Sequence, residues 1–371
     1  MKKTLFVITA ILVCLTGISQ PTSFAPRGMG GGGAMFFPSI NPYNEDEYYV
    51  ASDLSAMFHS TDYGKSYDQV DFQKLQVGGN STYEFTNDPM IAYCNFNDGN
   101  DGYPVKTSDG GVTWSRLMAY DVENYGGIYS MKANIYNVSQ LLVSAYGDIL
   151  FSNNGGASFS TVKSADDNGA GLIMGGVFWD GSNIYIGTND GLIVSNNGGN
   201  SFTVMPTTGI PANERIWSFA AAKEGGITKF VCITADVADV YNGVAPWDYY
   251  DFAKGVYVMD NVSGLWQSVS TGIDFSADFI MYAAMAYNDI DRIYLGGADD
   301  NTGGPLVFKS ENGGSTWAKV FNTVNNANII TGWEGHGGDK TWGWSENCFG
   351  LTVAPFNSAR VMFGNFSNVQ L

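Results

Sequence analysis

The sequence predicts an all-β protein of the β-propeller class, of the type with seven blades of four strands each. Three observations support this prediction. An eight-residue phrase rich in turn residues recurs along the chain, its copies lie at intervals in the forties, and a short apolar strand precedes each copy. The 47 glycines and the 14% aromatic content also suit many short strands joined by tight turns.

The repeated phrase has one skeleton: Ser or Thr, any residue, Asp or Asn, any residue, Gly, any residue, Ser or Thr, and an aromatic residue. Its five copies occupy residues 60–67, 107–114, 152–159, 195–202 and 310–317. The Asp or Asn side chain accepts hydrogen bonds from nearby backbone N–H groups, and Gly adopts positive φ without steric cost. The phrase therefore predicts a β-hairpin turn held together by its own side chains.

The spacing of the copies predicts the architecture. The first four start at residues 60, 107, 152 and 195, so they are 47, 45 and 43 residues apart. A period in the forties with one turn per unit is typical of propeller blades. The gap from 195 to 310 is long enough for two blades. We therefore place a degenerate sixth copy at residues 259–266, which has lost the Gly position.

Short apolar strands precede the turns, and there are seven of them against six turns. They are residues 48–52, 90–94, 140–144, 183–187, 229–234, 292–296 and 360–364. Ser60 opens its turn 18 residues after Pro42, and the same distance from Pro355 falls beyond Leu371. We therefore expect the last blade to be incomplete in this sequence, without its outer hairpin.

The first 19 residues predict a bacterial-type secretory signal peptide. Lys2 and Lys3 precede an apolar run over residues 4–18, and Gly17 and Ser19 are the small residues that a signal cleavage site requires. Residues 20–371 then form one propeller domain. No other stretch approaches the roughly 18 to 20 apolar residues of a spanning helix. We expect a secreted, extracellular protein, with the periplasm and the cell surface as alternatives, and no membrane span.

The charge of the exported chain argues against two classes of partner. Without the signal peptide, 16 basic residues face 36 acidic ones, a net charge of −20. Such a chain is not expected to bind nucleic acid or an anionic membrane. The charge suits a neutral polysaccharide as partner, or it serves solubility alone.

Cysteine and histidine are too few for a metal or redox centre. The exported chain keeps Cys94, Cys232 and Cys348, which allow one disulfide at most, and their pairing is left open. His59 and His336 are the only histidines, so neither a zinc site nor a Ser-His catalytic pair is expected. Acidic turns at 95–102, 165–168 and 298–301 offer oxygen atoms to Ca²⁺, but none matches an EF-hand loop. We expect no cofactor and no metal.

The repeated phrases resemble the Asp-box, or BNR repeat, of sialidases, sortilin-type receptors and several glycoside hydrolases, in which it is a structural turn. Residues 28–59 resemble the entry to the first propeller of glycoside hydrolase family 74, the xyloglucanases. The shared features are a Gly-rich run at 28–33, an apolar segment, the Asn41-Pro42 turn and a strand that leads to an Asp. In that family this Asp is the catalytic base of an inverting mechanism, and the resemblance makes Asp53 the candidate general base.

Two departures leave the enzymatic activity uncertain. The family has Gly-Gly shortly after its catalytic Asp, and this chain has Ser55-Ala56. The family takes its general acid from the start of a second propeller, and the corresponding stretch here offers Asn365 or Phe366 instead of a carboxylate. An inverting hydrolase needs two carboxyl groups about 6.5–9.5 Å apart. The general acid is therefore not found in this chain.

Two loops rich in aromatic residues are candidate substrate-binding elements. One, at 242–252, contains Trp247, Tyr249 and Tyr250, and the other, at 332–346, contains Trp333, Glu334, Trp342 and Trp344. Aromatic rings on inserted loops are candidate platforms for sugar stacking; the alternative is that each loop packs on its own blade. Loops on one face of a scaffold commonly carry its function. These residues and Asp53 form the predicted site.

Two functional hypotheses follow. The first is a secreted glycan-handling propeller, similar to a xyloglucanase of the inverting endo-β-glucanase type or a fragment of one, which acts on xyloglucan or another β-glucan. The alternative is a non-catalytic propeller that binds glycan or protein at the cell surface, as sortilin-type domains do. A sialidase is disfavoured because the arginines are scattered and the Arg-Ile-Pro motif of that family is missing. Asp-box propellers of photosystem assembly use a basic patch, which this acidic chain does not predict.

Overall fold

The computed structural model describes residues 26–27, 33–97, 102–117, 128–145, 147–166, 171–240, 252–299, 303–322, 348–365 and 369–370. The prediction of an all-β propeller is confirmed. Six blades follow one another along the chain, each an antiparallel sheet of four consecutive strands. One four-residue helix, α1 at Val237–Val240, lies within these ranges.

The strands are numbered in chain order, and β1 is Pro26–Arg27. Blade 1 contains β2 Met35–Ile40, β3 Tyr48–Ser52, β4 Met57–Ser60 and β5 Asp68–Gln69. Blade 2 contains β6 Tyr83–Phe85, β7 Ala92–Asn97, β8 Gly102–Thr107 and β9 Ser115–Arg116. Blade 3 contains β10 Ile128–Ala133, β11 Leu141–Ala145, β12 Asp148–Ser152 and β13 Ser160–Ser164.

The next three blades repeat the arrangement. Blade 4 contains β14 Met174–Asp180, β15 Asn183–Thr188, β16 Gly191–Ser195 and β17 Thr203–Met205. Blade 5 contains β18 Glu214–Glu224, β19 Ile227–Asp236, β20 Ala253–Asp260 and β21 Gln267–Ser268. Blade 6 contains β22 Asp278–Ala284, β23 Ile293–Asp299, β24 Pro305–Ser310 and β25 Ala318–Phe321.

One further sheet, the closing sheet, joins the two ends of the described chain. Its strands lie in the order β26 Leu351–Ala354, β27 Asn357–Gly364, β28 Val369–Gln370 and β1. In the antiparallel pair of β1 and β28, Pro26 lies opposite Gln370 and Arg27 opposite Val369. The expected seventh blade of consecutive strands is therefore replaced by a composite sheet. The two outer positions, which the sequence analysis expected to be missing, are occupied by two-residue strands from opposite ends of the chain.

Each of the seven strands predicted from the sequence overlaps the second strand of a sheet. The predicted strand 48–52 has the bounds of β3, and the strand predicted at 140–144 differs from β11 by one residue at each end. Both β3 and β11 are buried at every position. A strand covered on both faces reads as a continuous apolar run, which explains why these strands were recognisable.

All five copies of the repeated phrase form the predicted turn. At residues 310–317, the Gly314 N–H donates to Ser310 Oγ at 2.8 Å and the Thr316 N–H donates to Asn312 Oδ1 at 2.8 Å. The same Gly-to-Ser/Thr bond measures 2.8–2.9 Å in the other four turns. Gly314 has φ +92°, which explains why glycine stands there.

The predicted sixth copy forms a turn with different hydrogen bonds. Asp260 Oδ1 accepts the N–H groups of Val262 and Ser263, at 3.0 and 2.6 Å. Asn261, which stands at the Asp/Asn position of the phrase, accepts the Thr228 N–H from the start of β19 at 3.0 Å. The turn is thus in the predicted place between β20 and β21, but another residue holds it.

Blades pack closely along their first strands. A Cβ atom added to Gly176 in β14 would lie 2.0 Å from the Phe219 carbonyl oxygen in β18, so the backbones of blades 4 and 5 approach directly here. On the same interface a Cβ at Gly187 would lie 2.3 Å from the Phe219 side chain. Apolar clusters between neighbouring blades form the core, and the one between blades 4 and 5 includes Phe219, Phe230 and Trp266.

The antiparallel strands give every blade two ends. The turn end carries the connection between first and second strands, such as residues 41–47, and the repeated turns between third and fourth strands. The loop end carries the connection between second and third strands, such as residues 53–56, and the connections from one blade to the next. These two names are used below.

We expect the substitution Ser310→Ala to lower the free energy of unfolding by about 1–3 kcal/mol. It removes the acceptor of the Gly314 N–H, a buried bond, and a buried donor without a partner costs about that much. Ser315→Ala in the same turn is the control, because its exposed hydroxyl bonds only to the Asn312 carbonyl oxygen. Urea unfolding midpoints of both variants measure the difference, and equal midpoints would contradict the prediction.

We expect the carboxyl group of Asp109 to titrate near pH 2. The hydroxyl and the N–H of Thr113 donate to its two oxygens at 2.6 and 2.9 Å, and they lower the pKa of Asp109 to about 2. Because the folded pKa is depressed, the stabilisation of this turn is fully present above the unfolded value of about 3.9 and is lost as pH falls through about 2. An NMR titration of the side-chain carboxyl carbon measures this pKa. The turns that use Asn154, Asn197 and Asn312 are the internal controls, since an amide does not titrate, and an Asp109 midpoint near 4 would refute the expectation.

Candidate functional site

Asp53 lies at the loop end of blade 1, in the connection between β3 and β4, and its side chain is exposed. Its Oδ1 accepts the Ala34 N–H at 2.9 Å, and its own N–H donates to the Ala34 carbonyl oxygen at 3.3 Å. The carboxylate is therefore oriented through Oδ1, and no described residue donates a hydrogen bond to Oδ2.

The backbone around Asp53 keeps a conformation that favours glycine. Ser55 has φ +68°, and it stands where the xyloglucanase motif has the first residue of Gly-Gly. This φ lies in the left-handed region, which glycine adopts more readily than serine. The Ser52 N–H donates to the Ala56 carbonyl oxygen at 2.8 Å, and the Leu54 N–H to Ser52 Oγ at 3.1 Å, which close this turn.

Gly33 explains one part of the Gly-rich run. A Cβ atom there would lie 2.0 Å from Asp53 Oδ1, 2.7 Å from Leu54 Cγ and 2.9 Å from Ser52 Oγ, and the φ of Gly33 is +90°. Only glycine fits against the Asp53 turn without displacing side chains. The rest of the run, residues 28–32, lies outside the described residues.

The other predicted site residues also lie outside the described residues. They are Trp247, Tyr249, Tyr250, Trp333, Glu334, Trp342 and Trp344. Their two segments connect β19 to β20 and β25 to β26, and the flanking strand ends all belong to the loop end. The described strands on either side of both segments therefore end and begin at the end that carries Asp53, and contacts between these residues and Asp53 stay a prediction.

The stretch that resembles the general-acid position is only partly described. Asn365 is fully buried, and its carbonyl oxygen accepts the Met35 N–H at 2.8 Å. Phe366 lies outside the described residues. An amide at a buried position cannot donate a proton in the way that a carboxylic acid does.

The turn end carries a second candidate site, which sequence reasoning missed. A cavity of about 600 Å³ lies where connections from four blades and the closing sheet converge. Its lining includes Tyr136 of blade 3, Trp179 and Asp180 of blade 4, Lys223 of blade 5, Tyr287 of blade 6 and Phe356 of the closing sheet.

The mouth of this cavity is aromatic. The rings of Tyr43 and Tyr136 lie 6.5 and 6.1 Å from the ring of Phe356, and the Tyr43 hydroxyl donates to the Ile135 carbonyl oxygen at 2.6 Å. Exposed fractions of 57% for Tyr43, 45% for Tyr136 and 37% for Phe356 make them an exposed aromatic cluster. Burial raises the pKa of Tyr136 and Tyr287, so both hydroxyls stay neutral.

A repeated dipeptide would have pointed to this cavity. Tyr43-Asn44, Tyr136-Asn137, Tyr287-Asn288 and Phe356-Asn357 stand in corresponding connections between first and second strands. The Asn137 and Asn357 side chains each accept a backbone N–H two residues ahead, at 3.0 and 3.1 Å, so the Asn closes the connection. The aromatic partner then faces the cavity in three of the four cases.

The residues that could bind a metal or form a disulfide are dispersed in the described part of the chain. No cluster of three or more His, Cys, Asp and Glu side chains suited to a metal ion is found there. Cys94, Cys232 and Cys348 are buried and form no disulfide with one another, and burial raises the pKa of all three thiols. Among the described helices none has the length and apolar character needed to cross a membrane.

The fold and the repeated turns define the chain as an all-β propeller. Its structure is similar to that of the family 74 xyloglucanase from Xanthomonas campestris, with a TM-score of 0.64 at 14% identity over 94% of this chain and 53% of that one. An ancestral family 74 enzyme gives a TM-score of 0.66 at 17% identity, over 93% of this chain and 45% of the enzyme. The chain thus spans about half the length of these enzymes.

Two structures of YCF48 are similar as well. The structure of YCF48 bound to D1 peptide gives a TM-score of 0.59 at 11% identity, over 94% of this chain and 95% of that one. YCF48 from Cyanidioschyzon merolae gives 0.57 at 12% identity, over 94% and 98%. At such identities the likeness concerns the fold alone. No family model matches the sequence, and no curated protein matches it.

We expect Gly33→Ala to destabilise the protein more than Gly272→Ala, by about 1–3 kcal/mol. Both glycines have similar positive φ, +90° and +96°, so the backbone cost is shared. A Cβ at Gly33 collides with the Asp53 turn, whereas a Cβ at Gly272 has no atom within 4 Å. The difference between their free energies of unfolding in urea measures the cost of the steric clash. An equal loss of stability in both variants would mean that the Asp53 turn moves aside without cost and does not hold Asp53 in place.

Proposed function

We propose that this chain is a secreted glycan-handling propeller that acts on a neutral β-glucan such as xyloglucan, with Asp53 as the general base of an inverting hydrolase. One observation carries the proposal: an exposed carboxylate at the loop end whose Oδ1 accepts the Ala34 N–H, while no described residue donates a hydrogen bond to Oδ2. The resemblance of residues 28–59 to the xyloglucanase motif and the similarity of fold to two family 74 enzymes support it.

The geometry of Asp53 suits a general base. Such a group needs an ionised oxygen within hydrogen-bonding reach of a water molecule, and it needs to be held in place. The bond to the Ala34 N–H orients the carboxylate, and Gly33 leaves it room. In an inverting reaction Asp53 would take the proton of the attacking water, and a carboxylic acid that the described residues do not supply would protonate the leaving oxygen.

Two further parts of the proposal lie outside the described residues. The sugar-stacking residues are proposed to be Trp247, Tyr249, Tyr250, Trp333, Trp342 and Trp344, with Glu334 beside them. They belong to connections at the loop end, as Asp53 does. Export rests on the signal-peptide pattern of residues 1–19.

A second candidate function is non-catalytic binding of a glycan or a protein. The buried Asn365 favours it, because this residue stands in the stretch that resembles the general-acid position. It is also favoured by the similarity of the fold to nearly the whole length of the YCF48 chains, one of which is bound to a peptide.

We expect wild-type protein to hydrolyse xyloglucan and Asp53→Asn to lose about 10²–10⁴-fold in rate, the range that general acid–base groups contribute. Asparagine keeps the oxygen that accepts the Ala34 N–H, so folding is expected to be unchanged. Reducing-end release from tamarind xyloglucan measures the rate, and circular dichroism checks the fold.

Asp88→Asn is the matched control, because Asp88 also accepts one backbone N–H, that of Met90 at 2.9 Å, but lies at the turn end. Hydrolysis that persists in Asp53→Asn would refute the role of Asp53. Binding of xyloglucan by wild type without any release of reducing ends would refute the hydrolase and favour the non-catalytic candidate.

A further inference from the structure

The cavity at the turn end has no part in the proposed function, which uses the loop end. It is built from connections far apart in sequence that meet near the propeller axis. Tyr43 of blade 1 bonds to the backbone of blade 3 at Ile135, and the Phe356 ring of the closing sheet meets Tyr136 of blade 3. The mouth is therefore assembled by closure of the whole propeller.

The floor of the cavity is rigid. Phe178 and Trp179 each keep only 2% of their surface exposed, and the ring of Tyr287 stands edge-on to Phe178 at 5.2 Å and 89°. Asn134 is held as well, because its amide donates to Gln140 Oε1 at 2.7 Å. A ligand that enters this cavity meets side chains that are already fixed, which lowers the entropic cost of binding.

The charges of the cavity cancel. Lys223 Nζ donates to both oxygens of Asp180, at 2.8 and 2.7 Å. An ammonium group has three N–H donors, and a carboxylate has more lone pairs than these two bonds use. The pair therefore offers further donors and acceptors while it presents no net charge to a ligand.

From these features we infer that the cavity is a second binding site, for a neutral oligosaccharide. The exposed faces of Tyr136 and Phe356 suit the flat C–H face of a sugar ring, and the Asp180–Lys223 pair suits its hydroxyl groups. A net charge of −18 disfavours anionic ligands. The volume of about 600 Å³ lies within the range of ligand pockets, about 300–1,000 Å³.

The test titrates cellohexaose, mannohexaose and laminarihexaose into the folded protein by isothermal calorimetry. We expect at least one of them to bind, and we expect Tyr136→Ala and Phe356→Ala to weaken that binding at least ten-fold. Phe72→Ala is the matched control, because Phe72 is 56% exposed and lies at the loop end, in the connection from blade 1 to blade 2. It should bind as wild type does.

The Asp53→Asn variant separates this site from the one in the proposed function. Binding at the turn end is expected to be unchanged in that variant, whether or not hydrolysis is lost. Affinity unchanged in both Tyr136→Ala and Phe356→Ala would overturn the inference, and so would the failure of all three hexasaccharides to bind at millimolar concentration. Tighter binding of the neutral peptide acetyl-Gly-Trp-Tyr-Gly-amide, lost in the same two variants, would make this a peptide site and would also overturn it.

Discussion

The hydrogen bond between a glycine N–H and a serine or threonine oxygen, repeated in five turns, is the interaction on which this architecture depends. It reverses the chain between the third and fourth strands without help from the rest of the blade, and in blade 6 it is buried. Because the turn closes itself, each blade needs only local sequence to end in the right place. The blades then share one orientation, with all repeated turns at one end and all blade-to-blade connections at the other.

The turn end contains two kinds of connection. In the repeated turns the polar side chains bond to one another and to the turn backbone: Asn154 Nδ2 donates to the Ser158 hydroxyl at 2.7 Å, and Asn154 Oδ1 accepts the Ser158 N–H at 3.0 Å. Little bonding capacity remains for a ligand there. The aromatic-Asn connections differ, since the Asn137 side chain closes its own connection and the rings of Tyr136 and Phe356 keep 45% and 37% of their surface exposed. At the turn end, the repeated turns thus stabilise the blades, and the connections between first and second strands provide the side chains that can bind a ligand.

How well the sequence predicts each feature of the structure depends on how far apart in sequence the interacting residues are. The repeated turns and the seven second strands depend on neighbouring residues and on burial, and both leave a local pattern. The sixth turn was predicted in the right place but with the wrong hydrogen bonds, because Asn261 bonds to Thr228, more than thirty residues away. The closing sheet was missed for the same reason, since residues 26 and 27 pair with 370 and 369. The cavity depends on five connections brought together by closure, and the only local trace of it is the aromatic-Asn dipeptide.

For the loop-end site, the sequence predicted Asp53 as the general base through a resemblance to a motif, and this role stays a prediction. The positive φ of Ser55, +68°, could not be predicted, because serine rarely adopts this conformation. The sequence also did not predict why glycine is needed at position 33, because the atoms that a Cβ there would meet belong to a turn 20 residues further along.

Tyr43 and Asp53 flank the same strand, β3, from opposite ends, and this bears on whether the two sites influence each other. The five residues of β3 span about 17 Å, and every one of them is buried. Coupling between two binding sites requires a part of the structure that has two arrangements, and each ligand must favour one of them. Strand β3 is buried along its whole length and paired on both sides, so it supplies no second arrangement through which the two proposed sites would be coupled.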